Sequence, residues 1–451
     1  MPLRRALPLR FAFAVGVRFA FACCVAALAL LLPVLGPGAR AQATNDYGSP
    51  YSRYGLGERS EFGTPQAAAT GYAGAASLGG PLVFGVENPA LASDLVLTGF
   101  LAGADLRAMR IEDAAGGDPA RATAGGLTTI ALGVPIIPDR LGVTVSLAPY
   151  SRVNYHVVQE DSIDVPGGDR AGYRLNYEGN GGLTRVRVGL GARPAGGLRV
   201  GAGFDVIFGR VEYLQRTEFP GRDDLSEIRL GRATQLSGFG ATVGAALRTR
   251  LREGQQLHLG ASLTLPAHLS GTRVRTLGTS LDADTLTVER DGDVTLPLEL
   301  RGGASLAGRR WTLSVEGLYE PWSELESDFD WGGYDPTAGA TGLQDRLRVG
   351  GGFQVIPGGT SRQAGYFART AYRLGAYTER GLAGPDGETV TTTAVTGGLS
   401  LPTLFPAARL DLGIEAGTRG AAEGLLVRDR YIRGTVTLTF GERWFIRRRV
   451  G

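Results

Sequence analysis

Leu198-Arg199-Val200-Gly201-Ala202-Gly203-Phe204-Asp205-Val206-Ile207-Phe208-Gly209 decides how this chain folds. One parity reads Leu, Val, Ala, Phe, Val, Phe, and the other reads Arg, Gly, Gly, Asp, Ile, Gly. Successive strand residues point to opposite faces, so the stretch is a strand with one oily face and one face of glycine and charge. The same split recurs upstream, where Thr184, Val186, Val188 and Leu190 oppose Arg185, Arg187 and Gly189. Downstream, Leu257, Leu259, Ala261, Leu263 and Leu265 oppose His258, Gly260, Ser262 and Thr264. Leu347, Val349, Phe353 and Val355 oppose Arg346, Arg348 and Gln354, while Leu410, Leu412 and Ile414 oppose Arg409, Asp411 and Glu415. Helical spacing fits none of them.

Alternation alone does not separate a soluble sandwich from a membrane barrel, because both have one apolar face per sheet. The connections do. Pro138-Asp139-Arg140, Pro194 to Gly197, Arg252-Glu253-Gly254, Ala307-Gly308-Arg309, Pro357 to Arg362 and Phe405 to Ala408 read as short turns. Longer polar stretches lie between them, near 112–124, 159–170, 218–226, 277–290, 327–342, 381–388 and 420–427. Short and long alternate, as in outer-membrane barrels with short periplasmic turns and longer outside loops, and the count predicts about fourteen antiparallel strands over residues 95–445. Tyr431 to Phe440 reads as the last strand, closed by Trp444 and Phe445, and 446–451 as a basic tail.

Composition agrees. The 451 residues include 70 Gly, 2 Cys and 47 Lys+Arg, all of them Arg, against 44 Asp+Glu. That near balance predicts no nucleic-acid field. Arg4, Arg5, Arg10 and Arg18 precede an apolar run from Phe19 to Leu35, followed by Ala39-Arg40-Ala41, so residues 1–41 read as a secretory signal cut before Gln42. A transmembrane anchor and a lipidated Cys23 are the other readings of the run. Cleavage at Gln42 removes both cysteines and leaves a fold held by its ladder rather than by disulfides. On the inward parity, Arg faces Asp205, Glu299, Glu316, Asp411 and Glu415, a pattern expected to form ion-pair ladders in a wet lumen.

Residues 42–94 do not alternate. A fourteen-strand barrel is too wide for its own side chains to fill, so this segment is expected to fold into the lumen as a hatch. Within it stand Ala73-Gly74-Ala75 and Asn88-Pro89-Ala90, which resemble the hatch of the long-chain fatty-acid transporter family of outer membranes. Ser49 to Gly57 is similar to the mature start of the Bacteroidota-type relatives of that family. Pro149-Tyr150-Ser151, Gly179-Asn180-Gly181-Gly182-Leu183, Pro321-Trp322-Ser323-Glu324-Leu325 and Glu442-Arg443-Trp444-Phe445 extend the resemblance over nearly the whole mature chain.

The resemblance implies a plugged barrel that passively takes up hydrophobic, fatty-acid-like molecules, often through a lateral opening in its wall. Leu78, Leu82, Val83 and Phe84 are the candidate cargo contacts, and Asn88, Pro89 and Ala90 the candidate hinge of the hatch. No oily groove shows on the inward parity. Pro135, Pro149, Pro266 and Pro297 fall within or at the ends of strands, where each removes a ladder hydrogen bond and invites a bulge or a wall gap.

Implied partners are outer-membrane lipid and lipopolysaccharide, the hydrophobic cargo, the barrel-assembly machinery during biogenesis, and a protein at the outside loops. Two further functions stand beside uptake: a closed barrel serving as scaffold or secretion-system partner, and a polar porin. No catalytic constellation, cofactor motif or metal site is read from the sequence. His258 and His268 share an expected inward face but sit roughly 33 Å apart at ~3.3 Å per residue. Acidic loop clusters, Glu160 to Asp164, Asp282 to Asp284, Asp291 to Asp293 and Asp328 to Asp330, suit hard cations by chemistry but match no defined calcium loop.

Overall fold

The computed structural model describes residues 47–443 except 62, 77–83, 114–117, 165–169, 222–224, 279–285, 338–339, 360, 362, 384–386, 404, 406 and 424–425. The expected leader at 1–41 and the expected tail at 446–451 therefore lie outside the described residues. Fourteen wall strands follow one another around a barrel. They are β1 (Thr98–Glu112), β2 (Ala120–Ile137), β3 (Leu141–Pro149, continued by Ser151–Asp164), β4 (Arg170–Ala195) and β5 (Leu198–Glu218). Next come β6 (Ile228–Arg252), β7 (Gln255–Thr264, continued by Ala267–Gly278), β8 (Leu286–Leu296, continued by Glu299–Ala307) and β9 (Trp311–Glu320). The set ends with β10 (Arg346–Val355), β11 (Ala371–Ala383), β12 (Thr389–Pro402), β13 (Ala408–Arg419) and β14 (Arg428–Glu442). Each neighbour pairs antiparallel, and β14 returns to β1 from Thr98↔Glu442 to Glu112↔Arg428, which closes the sheet.

The direction of the oily parity separates barrel from sandwich. Val188, Leu190, Phe204 and Val349 are 43–51% exposed, whereas Arg185, Arg187 and Arg346 on the opposite parity are 1–3% exposed. A sandwich would hide the first set and wet the second; an outward apolar belt is what a bilayer requires. Inside, the arginines and carboxylates meet as expected: Arg187–Asp205 at 2.6 Å, Arg301–Glu299 at 2.7 Å, Arg433–Glu415 at 3.5 Å. The expected wetness does not hold at mid-barrel, where these side chains are almost fully buried against residues 47–94.

Besides β3, which breaks after Pro149, three more wall strands break where proline cannot donate to the ladder. The breaks at Pro266, Pro297 and Pro321 divide β7, divide β8 and end β9. At Pro266 the register against β6 slips by one, from Thr242↔Thr264 to Phe239↔His268, and a one-residue slip exchanges the two faces. His258 is consequently buried inside while His268 is exposed, which corrects the expectation that the two share the inward face. The same flips bring Leu269, Val294 and Leu296 inward, where they join Leu183, Ile207, Val211 and Leu236. The connection from β9 to β10 folds onto this cluster with Trp322, Leu325, Phe329, Trp331 and Leu343. An apolar inner surface thus fills the long-loop half of the barrel, against the expectation of no oily lining. The short turn expected over 357–362 is part of a longer connection from Ile356 to Thr370 that holds a helical turn, Tyr366–Arg369.

Candidate functional site: a seam in the wall and the segment that fills it

β2 and β3 pair only in the short-turn half. Their ladder runs from Ile137↔Leu141 to Ile130↔Leu147 and stops. Above it, residues 120–129 of β2 pair with β1 alone, and Ser151–Asp164 of β3 pairs with β4 on one side only. The unpaired edge of β2 is roughly 30 Å long at ~3.3 Å per residue. Pro149 stands at the foot of this gap and lacks the amide that would extend the ladder. Across the break, β4 carries Gly181 and Gly182 at φ +98° and +137°. A Cβ on Gly182 would lie 2.3 Å from the Ser151 carbonyl, so the wall turns away here only because both residues are glycine.

Residues 47–61 occupy the free edge. Glu58 and Arg59 form a short strand on it, Glu58↔Arg152 and Arg59↔Ser151. The Gly48 amide donates to the Asn154 carbonyl at 2.9 Å and the Ser60 amide to the Tyr150 carbonyl at 3.1 Å. Arg152 reaches across the gap and donates to the Leu127 carbonyl of β2 and, at 3.3 Å, to Asp105 of β1.

Charge then fixes the segment to the rest of the wall. Arg59 lies between Glu320 (2.7 Å) and Glu299 (3.2 Å) and stacks 3.6 Å from the Tyr150 ring centre. Glu61 pairs with Arg346 and Arg348, and Glu58 with Arg107 and Arg419 at 2.7 Å each. Burial alone would raise the Glu58 and Glu61 carboxyls. The guanidiniums around them override it and hold both well below the usual carboxylate range. Sequence reasoning missed Glu58, Arg59, Glu61 and Arg152. The signal was available, since Glu58-Arg59-Ser60-Glu61 is a charged run within a segment otherwise poor in charge.

Leu78, Leu82 and Val83 lie outside the described residues. Phe84 is 1% exposed and packs with Val86, Leu101, Ala131 and Ala148, so it sits against β1 to β3 at the foot of the seam. Asn88, Pro89 and Ala90 open a 3₁₀ turn, Pro89–Asp94. The Asn88 side chain donates to the carbonyls of Ala75 (3.1 Å), Ala245 (3.0 Å) and Ala261 (3.2 Å) and accepts from the Ala90 amide. Wall glycines let this turn approach: a Cβ on Gly201 would meet the Ala90 nitrogen at 2.4 Å, and one on Gly142 the Ala92 carbonyl at 2.1 Å. The structure brings Phe84 to the foot of the seam and holds Asn88 to Ala90 against the adjoining inner wall, at β4 to β7.

A family model described as BamG matches residues 26–451. The chain belongs to the BamG family. No curated protein sequence matches it. Among solved structures it is similar to a Pseudomonas aeruginosa FadL homologue, at 12% identity over 85% of this chain and 99% of that one, with a TM-score of 0.58. It is also similar to the P. putida toluene transporter TodX (14%, 85% and 99%, TM-score 0.54) and the Ralstonia pickettii toluene transporter TbuX (16%, 84% and 98%, TM-score 0.53). Identities this low establish a shared fold, the closed fourteen-strand outer-membrane barrel. Just inside the seam lies a cavity of about 90 Å³, lined by Ala124 and Gly125 of β2, Arg152 and Asn154 of β3, and Glu58 and Arg107. That holds only a few waters at about 30 Å³ each, so anything larger passes only if residues 47–61 leave the β3 edge.

Proposed function

We propose that this chain is an outer-membrane conduit for passive uptake of small hydrophobic compounds, with the seam between β2 and β3 as its lateral gate and residues 42–94 as the hatch that closes it. The observation that carries this reading is the loss of β2–β3 pairing above Ile130↔Leu147, directly beside an apolar inner surface. A non-polar molecule that enters among Tyr54, Leu56 and Val153 can leave sideways into lipid without crossing the buried ion pairs below. In this reading Phe84 contacts cargo at the foot of the seam, Leu78, Leu82 and Val83 are further cargo contacts, and Asn88-Pro89-Ala90 is the fixed pivot about which the preceding residues swing. The toluene transporters and the FadL homologue that share the fold support a hydrophobic cargo, and the Ser49 to Gly57 start supports a Bacteroidota-type relative. Uptake of a labelled fatty acid by cells making the full chain or a chain without residues 67–92 tests it. Altered uptake is expected, and unchanged uptake with the barrel correctly inserted overturns the hatch role.

A second reading is favoured by the packed interior: a closed barrel that serves as a partner of the barrel-assembly machinery, to which the name of its family points. Stoichiometric co-purification with that machinery, together with no solute flux in liposomes, would establish it over uptake.

A further inference from the structure

The short-turn end of the barrel holds a second, much larger cavity of about 1280 Å³. Its rim is built from the turns after β6 and β8, at Arg252 to Gly254 and Gly308 to Arg310, and from Gly359 and Arg369 of the connection after β10. Its ceiling is the N-terminal segment, from Thr64 to Ala73. It is therefore a cup open to the periplasm and closed toward the seam, a shape suited to holding a ligand rather than passing one.

The cup is basic. Arg250, Arg252, Arg310 and Arg369 line it, are exposed to solvent, and have no carboxylate at ion-pair distance among the described residues. Deeper in the wall, Arg373 and Arg409 share the single carboxylate Asp411, at 3.7 and 3.2 Å. Glu253 offsets only Arg309, at 3.8 Å. The other lining carboxylate, Glu87, is buried and accepts from the Thr64 amide. On the inner wall His258 is 5% exposed, lines the cavity, and leaves its Nε2 without a hydrogen-bond partner among the described residues. Nothing in the uptake reading uses this constellation.

We propose that the cup is a docking site for an acidic peptide segment of a periplasmic partner, held by Arg250, Arg252, Arg310 and Arg369 and met inside by His258. Its volume exceeds the ~300–1,000 Å³ of ordinary small-ligand sites, which favours a stretch of chain over a single small anion. The cup lies inside the barrel wall and faces away from the bilayer, so an anionic membrane surface cannot enter it. Excess positive charge in a cleft with low-dielectric walls both attracts such a segment and selects against neutral ones.

The test is fluorescence anisotropy on the full-length protein in detergent, with a labelled ten-residue Asp-Glu repeat and a Ser-Gly repeat of equal length. The acidic peptide is expected to bind in preference to the neutral one and to weaken as salt rises. The triple variant R250E/R252E/R310E is expected to lose at least about tenfold in affinity, since like charges now face each other. R250K/R252K/R310K is expected to keep binding. These side chains are exposed, so folding is checked simply by heat-modifiable migration in gels. Equal binding of the two peptides, unchanged affinity of the reversed variant, or, for the protein in neutral-lipid nanodiscs, binding of phosphatidylglycerol vesicles in preference to the acidic peptide would each overturn the proposal. The inference does not rest on the uptake reading, because fatty-acid uptake by the same variants is a separate measurement at the other end of the barrel.

Discussion

The β2–β3 boundary and the β4–β5 boundary belong to one wall and behave oppositely. β4 and β5 pair almost without interruption from Arg174↔Glu218 down to Ala195↔Leu198. β2 and β3 stop halfway, and the missing partner is supplied by Glu58 and Arg59. An unpaired strand edge in a membrane is costly because lipid offers no hydrogen bonds. Borrowing the N-terminal segment to satisfy that edge makes closure depend on a piece of chain that is not itself part of the cylinder. The seam is sealed by side chains and a docked segment, the β4–β5 boundary by backbone.

If that contrast is right, mutations on the seam side should be far more costly than matching ones elsewhere. Arg59→Ala leaves Glu320 and Glu299 buried with one cation fewer, and breaking a buried pair from one side costs about 3–5 kcal/mol. Urea titration by gel mobility, with protease cleavage near residue 60 as the local readout, is expected to show both a lower midpoint and an exposed segment. Gly182→Val comes next. Its positive φ and the Ser151 carbonyl at 2.3 Å predict a loss of about 1–3 kcal/mol, whereas Gly302→Ala in β8, with nothing within 4 Å, is expected to change stability by less than about 0.5 kcal/mol. Equal effects in the same titration would erase the distinction between the two walls. Arg152→Ala removes the stitch to Leu127 and Asp105. Its side chain is a third exposed, so the stability cost is about 1 kcal/mol or less, but fatty-acid uptake should rise.

The smallest effect concerns pH. Glu58 and Glu61 have folded carboxyl values below their ordinary 4.5, so their stabilisation is fully present above that value and is lost as pH falls through the lower, folded value. Protease protection of residues 47–61 should be flat from pH 8 to 5 and decline only below 4.5. Release between pH 7 and 5 would mean that these pairs do not hold the segment.

Strand number, wall direction and loop alternation were legible because period two and turn residues are local properties. Leu198 to Gly209 states its outward face without help from any other part of the chain. What stayed hidden is relational. Leu269, Val294 and Leu296 turn inward only because breaks beside Pro266 and Pro297 exchange the faces, and a regular parity count carries straight through those breaks. Nothing in the sequence distinguishes Gly142 and Gly201 from other strand glycines, and only the fold seats the Pro89–Asp94 turn on them. The seam is an absent pairing, so it has no residue of its own. Pro149, Gly181 and Gly182 were visible as punctuation, but only the register shows that they lie side by side.

The most direct test of the seam locks it. Glu58 and Arg152 are ladder partners, so E58C/R152C, made with Cys23 and Cys24 replaced by Ser, offers a single engineered crosslink. Uptake of a labelled fatty acid should be nearly abolished in the oxidised protein and restored by reductant, with the reduced variant controlling for the two lost charges. Uptake that is the same before and after reduction, with the disulfide verified, would contradict a lateral gate between β2 and β3.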